Sequence, residues 1–160
     1  MAQEIERKYL LKNMQWRDLV TESVRMTQGY FPSSGVTVRV RIADTKGYLT
    51  IKGKSDDFFV RSEYEYSIPI EDARKMLSEF CGERVVDKIR HYVPAENGMV
   101  WEIDEYFGEN DGLFTAEIEL PSADTVYSIP DWVGDDVSDK PEYSNGSLSK
   151  RPYSQWRNDI

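Results

Sequence analysis

The feature that most constrains this chain is an alternation of charged and apolar side chains that recurs in one short segment after another. At the start, Glu4, Glu6 and Lys8 alternate with residues such as Ile5 and Tyr9. Side chains two residues apart share one face of a β-strand, so this segment predicts a strand with one ionised face. The same spacing of paired charges recurs in six later segments. The chain is therefore expected to form a sheet in which most strands carry a charged face.

Turn residues divide the sequence into eight predicted strands and a few helices. The strands are expected over residues 3–11, 24–31, 36–43, 48–54, 60–70, 84–94, 99–107 and 113–120. Apolar residues at helical spacing predict a helix over 71–80, ended by Gly82, and shorter helices are expected over 15–23, 123–127 and 145–150. Tight turns such as Asn97-Gly98 make neighbouring strands antiparallel, and eight strands can close into a barrel.

The expected fold class is therefore α+β, mainly β, with an eight-stranded antiparallel closed barrel and flanking helices. At 160 residues the chain is expected to be a single domain over 1–160, in which the irregular tail 122–160 closes one end of the barrel.

Composition excludes several classes of protein. Cys81 and His91 are the only cysteine and histidine, which excludes an internal disulfide, a cysteine-cluster zinc site and a multi-histidine metal site. The net charge of −9 argues against a nucleic-acid partner. There is no apolar run of membrane-spanning length and no apolar signal core near Glu4, so a cytoplasmic protein without a membrane partner is expected.

The alternation leaves open which face of each strand is inside. For a single strand, the simplest interpretation is that the apolar face is buried and the charges are solvated. Across the set, however, every charge pair after the first strand is of one sign, which favours charges that line a central tunnel. An outer-membrane barrel has a similar alternation, but the strands are short and Arg7, Asp87 and Glu105 would face lipid.

Charges that line a tunnel are tolerable only if water, counter-ions and a charged ligand fill the space. The basic set is Lys8, Arg39, Arg41, Lys52, Lys54, Lys88 and Arg90. The acidic set is Glu4, Glu6, Glu63, Glu65, Glu102, Asp104, Glu117 and Glu119. Arginine and lysine suit phosphate oxygens, and carboxylates without histidine or cysteine suit hard cations such as Mg²⁺ or Mn²⁺. The two sets together predict a metal-bound polyphosphate ligand.

The opening segment Glu4-Ile5-Glu6-Arg7-Lys8 resembles the ExExK motif of the CYTH superfamily, the triphosphate tunnel metalloenzymes. The paired charges follow in the order of that family over nearly the whole chain. The resemblance implies an eight-stranded barrel whose tunnel binds triphosphate and a divalent metal. Members of the family include inorganic triphosphatases, thiamine triphosphatases, class IV adenylate cyclases and, more distantly, RNA 5′-triphosphatases.

The resemblance also implies roles for individual residues. The expected metal ligands are Glu4, Glu6, Glu117 and Glu119, with Glu63, Glu65 and Asp104 available to a second ion or to water. The expected phosphate-binding residues are Arg39, Arg41, Lys52, Lys54, Lys88 and Arg90. The segment Gln28-Gly29-Tyr30 resembles a strand of small bacterial members that carries a catalytic tyrosine, so Lys8 and Tyr30 are expected to activate the attacking water. The alternative for Tyr30 is an aromatic side chain that only packs.

The predicted reaction is the metal-dependent hydrolysis of inorganic triphosphate to diphosphate and phosphate, with Mg²⁺ or Mn²⁺ as cofactor. The alternatives are a thiamine or nucleoside triphosphatase, a class IV adenylate cyclase and a non-catalytic polyphosphate-binding module. The resemblance also suggests a homodimer. The tail segment 139–145 departs from the family pattern, because Glu142 stands where members often carry a basic residue and Lys140 is shifted from that place.

Overall fold

A computed structural model describes residues 3–54 and 60–159. The strands are β1 Gln3–Leu11, β2 Glu22–Tyr30, β3 Val36–Ala43, β4 Lys46–Gly53, β5 Val60–Ile68, β6 Val85–Pro94, β7 Val100–Tyr106, β8 Phe114–Glu119 and β9 Val133–Asp136. The helices are α1 Ile70–Met76, which continues as a π-helical turn over Leu77–Cys81, and α2 Asn145–Lys150. Short 3₁₀ turns occur at Gln15–Leu19, Glu96–Gly98, Gly108–Asn110, Pro141–Tyr143, Tyr153–Gln155 and Arg157–Asp159.

Eight of these strands form a closed antiparallel barrel, which confirms the predicted fold. They follow the order β5-β4-β3-β2-β6-β7-β8-β1, and β1 then pairs with β5. This closing contact is short, with Gln3 opposite Ser62 and Ile5 opposite Val60. Beyond it, β9 takes the place of β5 along β1, with Tyr9 opposite Asp136. The wall of the barrel is therefore continuous near the start of β1 and separates further along that strand.

Several predicted boundaries were wrong for local reasons. β9 was missed because four residues carry too little alternation to indicate a strand, and its pairing depends on the edge that β1 offers. The helix predicted over 123–127 is absent, because the Ser122 and Thr125 hydroxyls form a local turn in which Thr125 Oγ1 donates to Ser122 O at 2.8 Å. β5 ends at Ile68 because Pro69 cannot donate to a strand ladder. The helix predicted over 15–23 is only a 3₁₀ turn that ends at Leu19.

The apolar faces of the strands point outward, and most of them are covered by other parts of the chain, whereas Tyr64 and Tyr66 of β5 are exposed. One cluster packs Trp101, Ile103 and Ile118 of the barrel against Trp16 and Trp132. The alternation therefore predicted the orientation of the sheet correctly, with the ionised faces inside. His91 also points outward, where its Nε2 lies 2.9 Å from Glu105 Oε1.

Two further apolar clusters join the helices and the tail to the barrel. Under α1, Ala73 and Cys81 pack against Val40. The helix comes very close to β2, since a Cβ atom added to Gly29 would lie 2.7 Å from Cys81 Sγ. In the tail, the third cluster includes Leu148 of α2 and Trp156. None of the helices within 3–54 and 60–159 combines the length and the apolar character needed to cross a lipid bilayer.

Candidate active site

The charged faces of the strands meet in a tunnel with a cavity volume of about 270 Å³. Its lining includes most of the predicted site residues, namely Glu4, Glu6, Lys8, Tyr30, Arg39, Arg41, Lys52, Glu63, Glu65, Arg90, Glu117 and Glu119. The lining also includes residues that were not predicted as site residues, namely Thr37, Arg61, Glu102, Ser144, Asn145 and Gly146. The structure therefore brings together side chains from all eight barrel strands and from the start of α2.

An acidic wall is formed where β1 pairs with β8. The register sets Glu6 directly opposite Glu119 and Lys8 opposite Glu117. Like charges directly opposite each other on neighbouring strands are destabilising. Two carboxylates of this wall are paired, because Lys8 Nζ lies 3.4 Å from Glu117 Oε1 and Lys52 Nζ lies 3.1 Å from Glu4 Oε2. The other carboxylates remain crowded at the same place.

This crowding perturbs the pKa values of the carboxyl groups. Burial, followed by the neighbouring charges of Glu117 and Glu4, raises the pKa of Glu6 well above 4.5. Burial also raises the pKa of Glu63, to about 7, with Glu4 adding to the effect. For Glu4 burial acts in the same direction, but the Lys52 ammonium and hydrogen bonds with the Glu6 and Glu63 carboxyl groups together outweigh it and lower the pKa to about 2. The acidic wall therefore carries more negative charge than its lysines neutralise, and it favours a bound proton or cation.

The chemistry of this wall fits a hard divalent cation. All its donors are carboxylate oxygens, which Mg²⁺ and Mn²⁺ prefer. Glu4 Oε2 is buried and makes no hydrogen bond, although it lies 3.1 Å from Lys52 Nζ. In the described ranges, no group of three or more acidic, histidine or cysteine side chains already has metal-ligand spacing. A cation would therefore compete with Lys8 and Lys52 for these oxygens.

A basic wall faces the carboxylates and is built from β3 and β6. Arg39 is tied to the sheet, since its Nη2 donates to Thr50 Oγ1 at 3.0 Å and to Glu65 Oε2 at 3.3 Å, while its buried Nε has no partner. Arg41 donates from Nε to Gln28 Oε1 at 2.8 Å. Within residues 3–54 and 60–159, no carboxylate forms an ion pair with Arg41.

The positive potential on this wall is visible in the pKa of Arg41. Burial inside the barrel is the largest cause, and the neighbouring guanidinium groups of Arg39 and Arg90 add to it, so the pKa falls from 12.5 to about 10. The group remains protonated at neutral pH. A side chain that stays cationic without an anionic partner, at the surface of a water-accessible cavity, is a binding point for an anion.

Two predicted site residues, Lys88 and Asp104, do not line the tunnel. Both are fully buried, with Lys88 Nζ 2.6 Å from Asp104 Oδ2 and 3.1 Å from Asn145 Oδ1. Asp104 also accepts two hydrogen bonds from Arg90, at 2.8 and 3.0 Å. Burial opposes its ionisation, but Arg90 and Lys88 outweigh this effect and lower the pKa of Asp104. The pair therefore holds Arg90 in place from behind the tunnel wall.

Lys8 and Tyr30 both reach the tunnel without a direct hydrogen bond to each other. Lys8 Nζ donates to the main-chain oxygen of Tyr143 at 3.0 Å, and Tyr30 Oη accepts from Gln28 Nε2 at 2.8 Å. Burial lowers the pKa of Lys8, but the carboxylates of Glu117 and Glu6 outweigh it, so the pKa is raised. Lys8 is therefore an ammonium ion. The hydroxyl hydrogen of Tyr30 is not used in the bond from Gln28, so it can be donated to a ligand.

The residues that sequence reasoning missed fall into two kinds. Arg61 stands two positions before Glu63, so the same alternation could have included it, whereas Glu102 belongs to the predicted acidic set and only lacked an assigned role. Ser144, Asn145 and Gly146 carry no such signal, since only tertiary packing brings α2 to the tunnel. Lys54 is exposed and lines only the mouth of the tunnel, not its interior.

Comparisons with known proteins agree with this geometry. An inorganic triphosphatase of Acetivibrio thermocellus is 42% identical over 158 residues, covering 98% of this chain and 99% of the relative. An inorganic triphosphatase of Nitrosomonas europaea is 29% identical over 150 residues, covering 91% and 96%. A crystal structure of an inorganic triphosphatase matches with a TM-score of 0.67 and 29% identity, covering 93% of this chain and 95% of that one. The CYTH domain family model matches residues 2–153, and the chain belongs to the CYTH domain family.

Proposed function

We propose that this protein hydrolyses inorganic triphosphate to diphosphate and phosphate in a reaction that depends on a divalent metal. The observation that carries the proposal is Arg41, a cation that pairs with no carboxylate of the described residues, is close to the charges of Arg39 and Arg90, and lines the same tunnel as the crowded acidic wall. Such a tunnel is complementary to a polyanion on one side and to a metal cation on the other. The relatives named inorganic triphosphatase support the same reaction.

In this proposal the basic wall binds the phosphate oxygens. Arg39, Arg41 and Arg90 grip the chain of phosphates, and Lys52 gives up its contact with Glu4 when a cation binds there. Lys88 and Asp104 act indirectly, because they fix the guanidinium of Arg90. Phosphoryl transfer needs positioning and charge neutralisation more than covalent chemistry, and these are what such a tunnel supplies.

The acidic wall would hold the metal. Glu4, Glu6, Glu117 and Glu119 are the ligands we propose, with Glu63 and Glu65 available to a second ion or to water. When bound, Mg²⁺ or Mn²⁺ supplies positive charge that neutralises the phosphate oxygens. Without it, the carboxylates of Glu6 and Glu119 would repel the substrate.

Lys8 and Tyr30 are the proposed catalytic pair, which positions and activates the attacking water. Water attacks a terminal phosphorus, the bridging P–O bond breaks, diphosphate leaves, and the proton released by the water goes to a phosphate oxygen. The ammonium of Lys8 stabilises charge on the oxygens, and the hydroxyl of Tyr30 orients the water. If this role is correct, Tyr30→Phe loses activity while triphosphate still binds. Full activity of Tyr30→Phe would leave Tyr30 as a packing aromatic only.

The reaction is tested by incubation of the purified protein with triphosphate, thiamine triphosphate or ATP, with Mg²⁺ or Mn²⁺ present. Phosphate, diphosphate and cyclic AMP are measured by phosphorus NMR and chromatography. We expect phosphate and diphosphate from triphosphate, with the largest kcat/KM for that substrate, and no product after chelation of the metal. A preference for thiamine triphosphate or ATP, or the release of cyclic AMP, would replace the proposed substrate, and binding without any product would indicate a non-catalytic module.

Two further properties belong to the same proposal. A homodimer is predicted from family resemblance, and a cytoplasmic location is predicted because the free thiol of Cys81 fits a reducing compartment. Light scattering on the purified protein measures its mass in solution, and a mass near 18.6 kDa would contradict the dimer. Fractionation of the native cells tests the location.

A further inference from the structure

The tail of the chain meets the proposed catalytic pair at the tunnel wall. Lys8 Nζ donates to the main-chain oxygen of Tyr143 at 3.0 Å. A little further along the tail, a Cβ atom added to Gly146 would lie 3.8 Å from Cε1 of the Tyr30 ring. Asn145 stands between these two contacts in the chain and lines the tunnel. The tail therefore places a side-chain amide in the tunnel lining, close to Lys8 and Tyr30.

The oxygen of this amide is held from behind the tunnel wall. Lys88 Nζ donates to Asn145 Oδ1 at 3.1 Å, and Tyr106 Oη donates to the same oxygen at 3.2 Å. Both donors are buried, and neither of them lines the tunnel. Lys88 is itself anchored by Asp104, whose Oδ2 lies 2.6 Å from Nζ. Because one oxygen accepts from two buried donors, the orientation of the amide is fixed.

The nitrogen of the same amide is available to a ligand. The oxygen and the nitrogen of an amide lie on opposite sides of one planar group, so a fixed Oδ1 also fixes the direction of Nδ2. None of the residues that the structure describes accepts a hydrogen bond from Asn145 Nδ2. The side chain is only half-buried, so this nitrogen is not sealed off from the cavity. Asn145 therefore offers N–H donors, and no acceptor, to a molecule that fills the tunnel.

A donor of this kind favours a phosphate oxygen over a metal ion. A hard cation needs an oxygen ligand, and the amide oxygen of Asn145 already accepts two hydrogen bonds. The amide is also neutral, so it adds no positive charge to a wall where Arg39 and Arg90 already repel Arg41. It can therefore approach a phosphate group closely without increasing that repulsion.

We propose that Asn145 is a further substrate-binding residue of the tunnel. Its Nδ2 donates to an oxygen of the phosphate group that lies beside Lys8 and Tyr30. Lys88 and Tyr106 are positioning residues for this contact, because they touch the amide and do not line the tunnel. The inference rests on the proposed function, since it assumes that triphosphate occupies the tunnel.

Asn145→Asp separates the proposed donor from the other contacts of Asn145. A carboxylate still accepts hydrogen bonds from Lys88 and Tyr106, but it has no hydrogen to donate to a phosphate. The melting temperature should therefore stay within about 3 °C of the wild-type value. In contrast, kcat/KM for triphosphate with Mg²⁺ should fall about 10-fold or more, because a hydrogen bond to a charged group is lost.

Ser144→Asp is the matched control for the added negative charge. Ser144 also lines the tunnel, and as the N-cap of α2 its Oγ accepts from Ser147 N at 3.1 Å, a role that aspartate fills equally well. We expect kcat/KM to be at least about threefold lower in Asn145→Asp than in Ser144→Asp. Equal losses in the two variants, or wild-type activity in Asn145→Asp, would overturn the proposal.

A double-mutant cycle tests the positioning role of Tyr106. Tyr106→Phe removes the hydroxyl that donates to Asn145 Oδ1 and leaves the ring in place. It should lower kcat/KM about threefold in the wild-type background and have a clearly smaller effect in the Asn145→Asp background, where the amide that it positions is gone. The same loss in both backgrounds would contradict positioning through the amide.

The proposed function and the role of Asn145 can fail separately. If the wild type releases no phosphate from triphosphate, the proposed function fails, and calorimetry with triphosphate and Mg²⁺ then measures binding without turnover. Binding at least about threefold weaker in Asn145→Asp than in Ser144→Asp would support the contact. Equal binding in the two variants, or no binding to the wild type, would reject it.

Discussion

At the scale of single residues, the tunnel is built from side chains whose charges are only partly compensated. Arg41 pairs with no carboxylate among residues 3–54 and 60–159, and Glu6 lies opposite Glu119. Both arrangements cost stability in the ligand-free protein, because a charge taken from water must be compensated by its surroundings. Binding of a metal and a polyanion would relieve both costs together. Site variants are therefore expected to separate activity from stability.

Arg41→Met should remove activity without unfolding the protein. We expect kcat/KM for triphosphate to fall about 10- to 100-fold, since a hydrogen-bonded contact to a charged group is lost. The melting temperature of the ligand-free protein should not fall by more than about 3 °C, because an uncompensated charge is removed. Arg25→Met is the control, since Arg25 is exposed on β2 and pairs with Asp87 at 3.3 Å. A large loss of stability in Arg41→Met would contradict this account.

Glu6→Gln should stabilise the metal-free protein in a pH-dependent way. The folded-state pKa of Glu6 is raised, so the folded protein binds more protons than the unfolded chain above pH 4.5, and its stability falls as the pH rises through that window. The free energy of unfolding of the variant should therefore match that of the wild type near pH 4.5. At alkaline pH it should exceed the wild-type value by about 1 kcal/mol, which corresponds to roughly 3 °C in melting temperature.

The measurement is thermal unfolding in a buffer that contains a metal chelator, from pH 4.5 to alkaline pH. Glu22→Gln, at an exposed position of β2, is the control for loss of a surface carboxylate. An identical pH profile in Glu6→Gln and in the wild type would show that Glu6 is not under electrostatic stress.

At the scale of elements, helix α1 and its π-helical turn lie against the outer face of the barrel at a distance that only glycine permits. Gly29 of β2 is buried, and an added Cβ would meet Cys81 Sγ and Leu77 Cδ2, both at 2.7 Å. The segment Gln28-Gly29-Tyr30 resembles a family segment that carries a catalytic tyrosine. Gly29 is required for a different reason, which is the close approach of the helix behind β2.

Gly29→Ala should therefore destabilise the fold by about 1–3 kcal/mol through overpacking. The melting temperature is expected to fall by several degrees. Cys81→Ala in the same chain should recover part of the loss because it removes Sγ, one of the two atoms at 2.7 Å. Gly53→Ala is the control, since its nearest contact would be an ordinary 3.4 Å to Ser62 Cβ. Equal melting temperatures for the Gly29 and Gly53 variants would contradict the packing argument.

At the scale of the whole molecule, the tail is part of the site. It pairs with β1 through β9, it accepts a hydrogen bond from Lys8 at the main-chain oxygen of Tyr143, and it lines the tunnel with residues 144–146. Its own packing depends on Trp156, whose ring centroid lies 5.1 Å from those of Tyr143 and Tyr153. Stability of the tail and geometry of the tunnel are thus coupled.

Trp156→Ala should impair both stability and catalysis, although Trp156 does not line the tunnel. Loss of a buried tryptophan is expected to cost about 3–5 kcal/mol, or roughly 10 °C in melting temperature. KM for triphosphate should rise because the tail no longer holds Tyr143 and Asn145 in place. Val126→Ala is the control in the same tail, since Val126 is 88% exposed. Unchanged kinetics in Trp156→Ala would show that the tail only covers the barrel.

Much of this architecture was accessible from local patterns. Alternation with a period of two determines which side chains share a strand face, and tight turns such as Asn97-Gly98 determine antiparallel order, so the barrel and most tunnel residues follow from residues near one another in the chain. The ordered pairs of one sign then predicted the ionised interior. These properties are local because a strand sets the direction of each side chain by itself.

Tertiary structure alone decided how distant parts meet. The brief β1–β5 contact, the addition of β9 and the arrival of α2 at the tunnel depend on packing between segments far apart in the chain. It also decided that Lys88 and Asp104, although they share the ionised face, are buried against Asn145 and Arg90 and not exposed to the cavity. The reason is physical: the sequence sets the direction of a side chain, but its depth and its partners depend on which strands and tail segments close around it.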